Sequence, residues 1–321
     1  MKAIVYEKYG PADVLRYTDV DRPAIGDDQV LVRVRATSVN AADRLVMRGS
    51  PYIARAWFGL RRPRKTVLGR DIAGTVEQVG AKVTGFQVGD EVCGEMDQRG
   101  FAEYVAAPEA NLVRKPAGVT FEQAASLPVA GTTALQAVRL GQVGPGTTVL
   151  VNGASGGVGS FAVQLARTLG AQVTGVCGTR NVDLVRSLGA HHVIDHTRED
   201  VTRGSTRFDT IIDLAADHSL SAFRRVLAPE GVYISSNGTR GAVLGPLPRL
   251  LAVAVTSPFL RQKLRGLIVR RSVEDLDHLA GLVAAGKIAP AITRTLPLAE
   301  AADALRLLEG RNAGGKIVLT V

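Results

Sequence analysis

Thr147-Thr148-Val149-Leu150-Val151 is a short apolar run that passes into Asn152-Gly153-Ala154-Ser155-Gly156-Gly157-Val158-Gly159. Beyond it Val158, Phe161, Ala162, Leu165, Ala166 and Leu169 recur along one face of a helix, and Gly170 stands where that helix would stop. Strand, glycine turn and amphipathic helix in this order form the opening of a dinucleotide-binding unit. Glycines permit the tight turn and let main-chain N–H groups approach a pyrophosphate, with the positive end of the helix dipole behind them. The first glycine of that fingerprint is replaced by Ala154, while Gly156 and Gly159 remain.

Working outward from this stretch, further short strands are expected at Gln172–Val176, His192–Asp195, Asp209–Leu214 and Gly231–Ser235. Helical stretches lie between them, one carrying Val182, Val185 and Leu188 before Gly189. Alternation of this kind predicts an α/β fold with a doubly wound parallel sheet. An NAD-specific site would place Asp or Glu at the end of the second strand, about 20 residues beyond the glycines. Here that position reads Val176-Cys177-Gly178-Thr179-Arg180-Asn181. With no acid in this run, Thr179 and Arg180 are expected to bind a 2′-phosphate, which favours NADPH over NADH. The alternative makes Arg180 an exposed residue at a helix start.

The flanking segments have a different texture. Residues 1–115 are β-rich: Val30, Val32 and Val34 alternate with Arg33 and Arg35, and apolar strands follow at Ile72–Val79, Asp90–Cys93 and Ala102–Ala106. Toward the end, Glu274–Ala285 and Leu298–Glu309 are expected to be helical and Lys316–Val321 a closing strand. Gly241–Gly266 is apolar and basic, interrupted by Pro246, Pro248 and Pro258. Leu247–Arg271 is expected at a subunit contact or a substrate mouth, with anionic lipid as a rival partner.

The composition, 46% hydrophobic and 21% charged, is that of a folded globular chain. A net charge of +9 is concentrated in two clusters, Arg55–Arg70 and Arg249–Arg271. Neither accompanies a nucleic-acid module, and solvated basic faces explain them as well. No apolar run reaches the ~18 residues of a membrane span, no signal peptide opens the chain, and a cytoplasmic location is expected. Cys93 and Cys177, the only cysteines, imply no disulfide framework.

Four segments together carry a family resemblance. They are Ser38-Val39-Asn40-Ala41-Ala42-Asp43, Leu68-Gly69-Arg70-Asp71-Ile72-Ala73-Gly74-Thr75-Val76, Gly131-Thr132-Thr133-Ala134 and Ala154–Gly159. In order and spacing the chain resembles the quinone-oxidoreductase-like medium-chain dehydrogenases/reductases, including relatives of the reticulon-interacting mitochondrial protein. The resemblance implies a GroES-like catalytic domain over residues 1–122 and 270–321 and a Rossmann NADPH-binding domain over 123–269. It also implies cofactor contacts from Thr133, Ala154, Ser155, Gly156, Gly157, Val158, Gly159, Gly178, Thr179, Arg180, His196, Leu214, Ser235, Ser236 and Asn237. His196 is equally well read as a surface histidine.

Zinc alcohol dehydrogenases of this superfamily hold their ion with Cys and His. At the corresponding places this chain resembles them but carries Asn40, Arg70-Asp71 and Val129, so no metal is expected. Reduction of an electrophilic acceptor, a quinone or a carbonyl-conjugated alkene, then fits better than alcohol oxidation. Asn40, Asp43 and Thr133 are the candidate catalytic residues, Asn40 as an amide donor to a carbonyl oxygen. The alternative for Asp43 is to hold the turn after Val39. Two other functions remain open: a narrower enoyl or alkenal reductase, and an NADPH-binding interaction protein with little turnover. A homodimer is the expected assembly.

Overall fold

The computed structural model describes residues 1–236, 243–310 and 313–321. Its chain divides into two compact units, Met1–Thr132 with Arg271–Val321, and Thr133–Arg270.

The first unit begins with the antiparallel pair β1 (Lys2–Val5) and β2 (Arg16–Asp19), whose weak apolar pattern gave no strand signal in the sequence. β3 (Gln29–Val39) follows, longer than the alternating run at its start, then the helices α1 (Ala41–Arg48) and α2 (Arg55–Phe58). β4 (Asp71–Val79), β5 (Glu91–Glu95), β6 (Tyr104–Pro108) and β7 (Leu112–Arg114) complete the β-rich part. α3 (Phe121–Ala125) opens with Thr120 and Gln123 in a capping box. α4 (Pro128–Leu140) starts on a proline, where no N–H is required, and its Gly131-Thr132-Thr133 hid the helical period.

The second unit contains β8 (Thr148–Asn152), α5 (Gly157–Thr168), β9 (Gln172–Cys177), α6 (Val182–Ser187), β10 (His192–Asp195) and β11 (Phe208–Asp213). It continues with α7 (Leu220–Val226), β12 (Leu227–Ser235), α8 (Leu247–Thr256) and β13 (Lys263–Gly266). The sheet order is β10-β9-β8-β11-β12-β13, all parallel, so the doubly wound expectation holds. Leu150, Val176, Ile211, Phe223 and Tyr233 form its core.

The stretch 241–266 differs from its sequence reading. Pro246 caps α8 and Pro248 lies in its first turn, so these prolines start a helix rather than break one. β13 then adds a sixth strand that short apolar content did not announce.

The chain returns to the first unit with α9 (Val273–Ala284), β14 (Ile292–Pro297), α10 (Ala301–Glu309) and β15 (Lys316–Thr320). β15 inserts beside β3, pairing Ile317 with Val39 and Thr320 with Ala36. That register closes the sheet order β14-β15-β3-β4-β5-β7, with β6 also on β3. It also sets Lys316 beside the end of β3, where two candidate residues lie. Val30, Val32, Val34, Ile72 and Val76 fill one core of this unit, and Tyr6, Met47, Phe101 and Leu305 another.

Candidate functional site

In the second unit, β8 ends at Asn152 and Gly153 makes the turn, with φ at 86°. The left-handed demand thus falls on Gly153, and Ala154 stands where an L-residue is unstrained, which is why the fingerprint tolerates it. Ala154 is fully buried, and its methyl lies 3.0 Å from where a Cβ at Gly175 of β9 would be. Gly159 has the second close approach: a Cβ there would fall 2.1 Å from the carbonyl oxygen of Gly153. α5 can pack against the turn only without that carbon. Gly156 precedes the helix without a side-chain cap, and only the Gly153 oxygen lies within 4 Å of the place a Cβ would take. Ser155, Gly156, Gly157 and Val158 therefore bring main-chain groups to an open helix start suited to a pyrophosphate.

Neighbouring strand ends gather the other expected residues. Leu214 follows β11 and its N–H bonds to the Asn152 carbonyl, while its Cβ is 3.5 Å from a Cβ built on Gly153. Ser235 ends β12, and the Ser236 N–H bonds to the Asp213 carbonyl. Asn237 lies outside the described residues. Thr133 is buried within α4.

A second cluster forms where β9 and β10 pair, with Asp195 opposite Cys177. Gly178 opens the following turn, and a Cβ on it would be 3.4 Å from His196 Nε2. The sequence reading found no acid beside Thr179. The fold corrects this, because strand pairing brings one from the next strand. Thr179 Oγ1 donates to Asp195 Oδ2 at 2.6 Å, and Thr197 Oγ1 donates to Oδ1 at 2.8 Å. These hydroxyls hold the Asp195 carboxyl below the usual carboxylate range. The Thr179 proton is therefore committed, which leaves Arg180, with Arg198 3.5 Å from Asp195, as the nearby cationic groups. Asp195 ends the strand expected at His192–Asp195, but only the β9–β10 register gives it this position.

A network that sequence reasoning missed lies under the glycine turn. Asp213 is fully buried and accepts from Asn152 Nδ2 at 2.8 Å, the Ala216 N–H at 2.9 Å, Tyr233 Oη at 2.7 Å and Arg249 Nη2 at 2.7 Å. Arg249 also donates to Tyr233 and to the His218 carbonyl, which fastens α8 to the sheet. Burial pushes the Tyr233 phenol up, so it stays a donor.

The first unit buries a different cluster at the start of α1. Asn40 and Asp43 form a capping box, with the Asn40 N–H 2.8 Å from Asp43 Oδ2. Asn40 Nδ2 donates to Asp71 Oδ2 at 2.8 Å and to the Ser38 carbonyl at 3.3 Å, and its Oδ1 accepts from Lys316 Nζ at 2.7 Å. Both amide hydrogens are thus engaged inside the unit, so the geometry differs from the expected donor to a carbonyl acceptor. Asp43 is fully buried and holds the turn after Val39, the alternative role considered for it. Asp71 takes further bonds from Ser38 Oγ at 2.6 Å and the Val129 N–H at 3.0 Å, and lies 3.5 Å from Lys316 Nζ. Burial lowers the Lys316 pKa, opposed by Asp71 and Asp43.

A catalytic zinc needs thiolate or imidazole donors with free lone pairs. Here the corresponding groups are an engaged amide, a valine, a carboxylate paired with an ammonium, and Arg70, which pairs with Glu95. This donor set does not fit a dication. The glycine turn, by contrast, fits a dinucleotide: its approaches are closed to a Cβ at Gly159 and open at Gly156. Cys93 and Cys177 are both buried, with thiols pushed up by burial to about 12 and about 11.

Known proteins agree with this architecture. Residues 26–117 match the alcohol dehydrogenase GroES-like domain, and residues 188–319 match a model described as zinc-binding dehydrogenase. The NADPH-dependent alkenal/one oxidoreductase of Arabidopsis thaliana chloroplasts is 32% identical over 99% of this chain and 79% of its own length. The human mitochondrial NAD(P)H oxidoreductase RTN4IP1 is 34% identical over 100% of this chain and 89% of its own. The quinone oxidoreductase of Coxiella burnetii superposes with a TM-score of 0.89 at 32% identity, covering 100% of this chain and 99% of that one. The fold and glycine turn define a dinucleotide-binding oxidoreductase architecture with a GroES-like partner domain. The chain belongs to the quinone-oxidoreductase-like medium-chain dehydrogenases/reductases.

Two expected outcomes follow from the buried charges. Lys316→Met strands the Asp71 carboxylate and should cost roughly 3–5 kcal/mol, whereas Lys316→Met with Asp71→Asn should recover a large part of it. Chemical denaturation of both variants checks this; equal losses would remove the pair from the account. For Asp43, burial first and the Asp71 charge second push the carboxyl from 3.8 to about 7. Between those values the folded chain holds a proton that the unfolded chain has released. This contribution is therefore full below about pH 4 and is lost as the pH rises through 7. Relative to wild type, Asp43→Asn should gain stability between about pH 4 and pH 7 and keep that gain above it; parallel curves from urea unfolding would refute the raised pKa.

Proposed function

We propose that this protein is an NADPH-dependent, zinc-independent reductase of quinones or carbonyl-conjugated alkenes. The observation that carries the reading is the complete glycine cradle of β8 and α5, in a chain matched end to end by an NADPH-dependent alkenal/one oxidoreductase. NADPH, when bound, supplies a hydride to the acceptor. The chain's part is to hold the pyrophosphate on residues 154–159, to place the adenosine ribose near Gly178, Arg180 and His196, and to position the nicotinamide end by Leu214, Ser235 and Ser236. Arg180 provides a planar fork for the 2′-phosphate. Asp195 works against that phosphate by charge, so the preference for NADPH is set by the balance of the two.

The unfit donor set at Asn40, Asp71 and Val129 supports the zinc-independent reading. The homodimer expected of this family has a candidate seam in the outer edge of β13, the sheet-edge strand that pairs only with β12 among the described residues.

Turnover of a quinone and enal panel with NADPH tests the activity, and it should persist in excess chelator. Loss of activity together with about one zinc per chain would overturn the metal-independent reading. In cofactor specificity, Arg180→Ala should lower kcat/KM for NADPH by about 10- to 150-fold, the worth of one charged hydrogen bond, and barely change NADH. Asp195→Asn should shift the NADPH to NADH ratio upward. If both substitutions affect the two cofactors alike, this loop is not the 2′-phosphate site.

A further inference from the structure

Between Glu230 and Glu274 the chain contains no acidic residue and seven Lys or Arg. The same stretch is unusually apolar at its surface. Eight of the 17 large hydrophobic side chains exposed among the described residues fall within residues 243–269. α8 explains how they come to face outward. Leu250 packs on Gly266, Val253 is buried and Arg249 is bonded to Asp213, so this face is bound to the sheet. Leu247, Leu251 and Val255 recur four residues apart on the other face and are 37%, 62% and 66% exposed. Phe259, in the turn after the helix, continues the stripe and is 83% exposed.

Next to Phe259, Leu260 and Arg261 line an open hollow of about 440 Å³ that Arg224 and Arg225 of α7 also line. Gln262 braces it by bonding Arg224 Nε at 3.0 Å and the Leu227 carbonyl at 3.2 Å. Glu230 lies outside this lining. A cationic hollow is thus continuous in sequence with a stripe of aliphatic and aromatic side chains.

We propose that α8 and the adjoining arginine hollow form a docking surface for an anionic phospholipid bilayer. A bilayer supplies both complements at once: hydrocarbon for Leu247, Leu251, Val255 and Phe259, and phosphate for Arg225 and Arg261. A nucleic acid offers phosphate but no hydrocarbon for an aliphatic stripe. A second copy mated through this same patch would set two arginine hollows against each other, like charge on like charge. Each exposed cation near an anionic surface contributes about 1 kcal/mol, roughly fivefold in binding.

The test is co-sedimentation of the full chain with phosphatidylcholine vesicles, with and without phosphatidylglycerol, at physiological salt. Binding is expected only to the anionic vesicles. Arg225→Glu with Arg261→Glu should reduce it by about 25-fold or more. Leu251→Asp with Val255→Asp should reduce it by about tenfold or more. Reductase turnover in solution and far-ultraviolet circular dichroism of these variants should match the parent. Phe259→Trp reports insertion directly, since its emission should shift to the blue only on anionic vesicles. Failure to bind anionic vesicles, equal binding by the aspartate variant, or a dimer that this variant converts to monomer would each overturn the proposal.

Discussion

The first unit depends on one buried carboxylate. Asp71 begins β4, yet its partners come from the end of β3, from the start of α4 and from β15. Those segments are separated by most of the chain, and Lys316 reaches Asp71 only because β15 lies beside β3. A carboxylate without water needs a full set of donors, and an ammonium needs a countercharge. The demand is mutual, so the last strand cannot leave without stranding a charge. The GroES-like unit is thereby closed by residues from both ends of the sequence, and Asn40, bonded to both charges, fixes where α1 starts.

The second unit uses the same device with a different purpose. Asp213 is surrounded by Asn152, Tyr233 and Arg249, which belong to the strand before the glycine turn, to β12 and to α8. Because Asn152 immediately precedes Gly153, the carboxylate holds the last residue ahead of the turn on which cofactor contacts depend. Burial of a charge is expensive, and here the expense yields rigidity at a loop whose glycines alone would leave it loose.

How much of this was readable before folding depends on range. The glycine turn, α5 and the alternating strands of the second unit rest on local periodicity, and they stand within a residue or two of their expected places, except that β12 starts four residues earlier, at Leu227. α4 escaped because glycine and threonines broke its pattern, and α8 because its prolines read as breaks when they are start signals. The polar sites were harder. Asn40 and Asp43 stand out in the sequence as polar groups after Val39, but the side-chain bonds of Asn40 run to Asp71 and Lys316, which no spacing rule connects. Asp195 was likewise invisible as a neighbour of Thr179, since two strands must first pair to bring it there. Pattern reveals what each segment becomes, while long-range pairing decides which side chains are spent on one another.

The two cysteines carry a consequence for the proposed reduction of quinones and enals. Quinones and enals are soft alkylating agents, and they attack thiolates rather than thiols. With pKa values of about 12 and about 11, Cys93 and Cys177 hold only about one thiolate in 10⁴ to 10⁵ molecules at neutral pH. Both sulfurs are also enclosed, one in β5 and one at the end of β9. Under the proposed activity, neither cysteine therefore presents an accessible thiolate for a quinone or enal to alkylate.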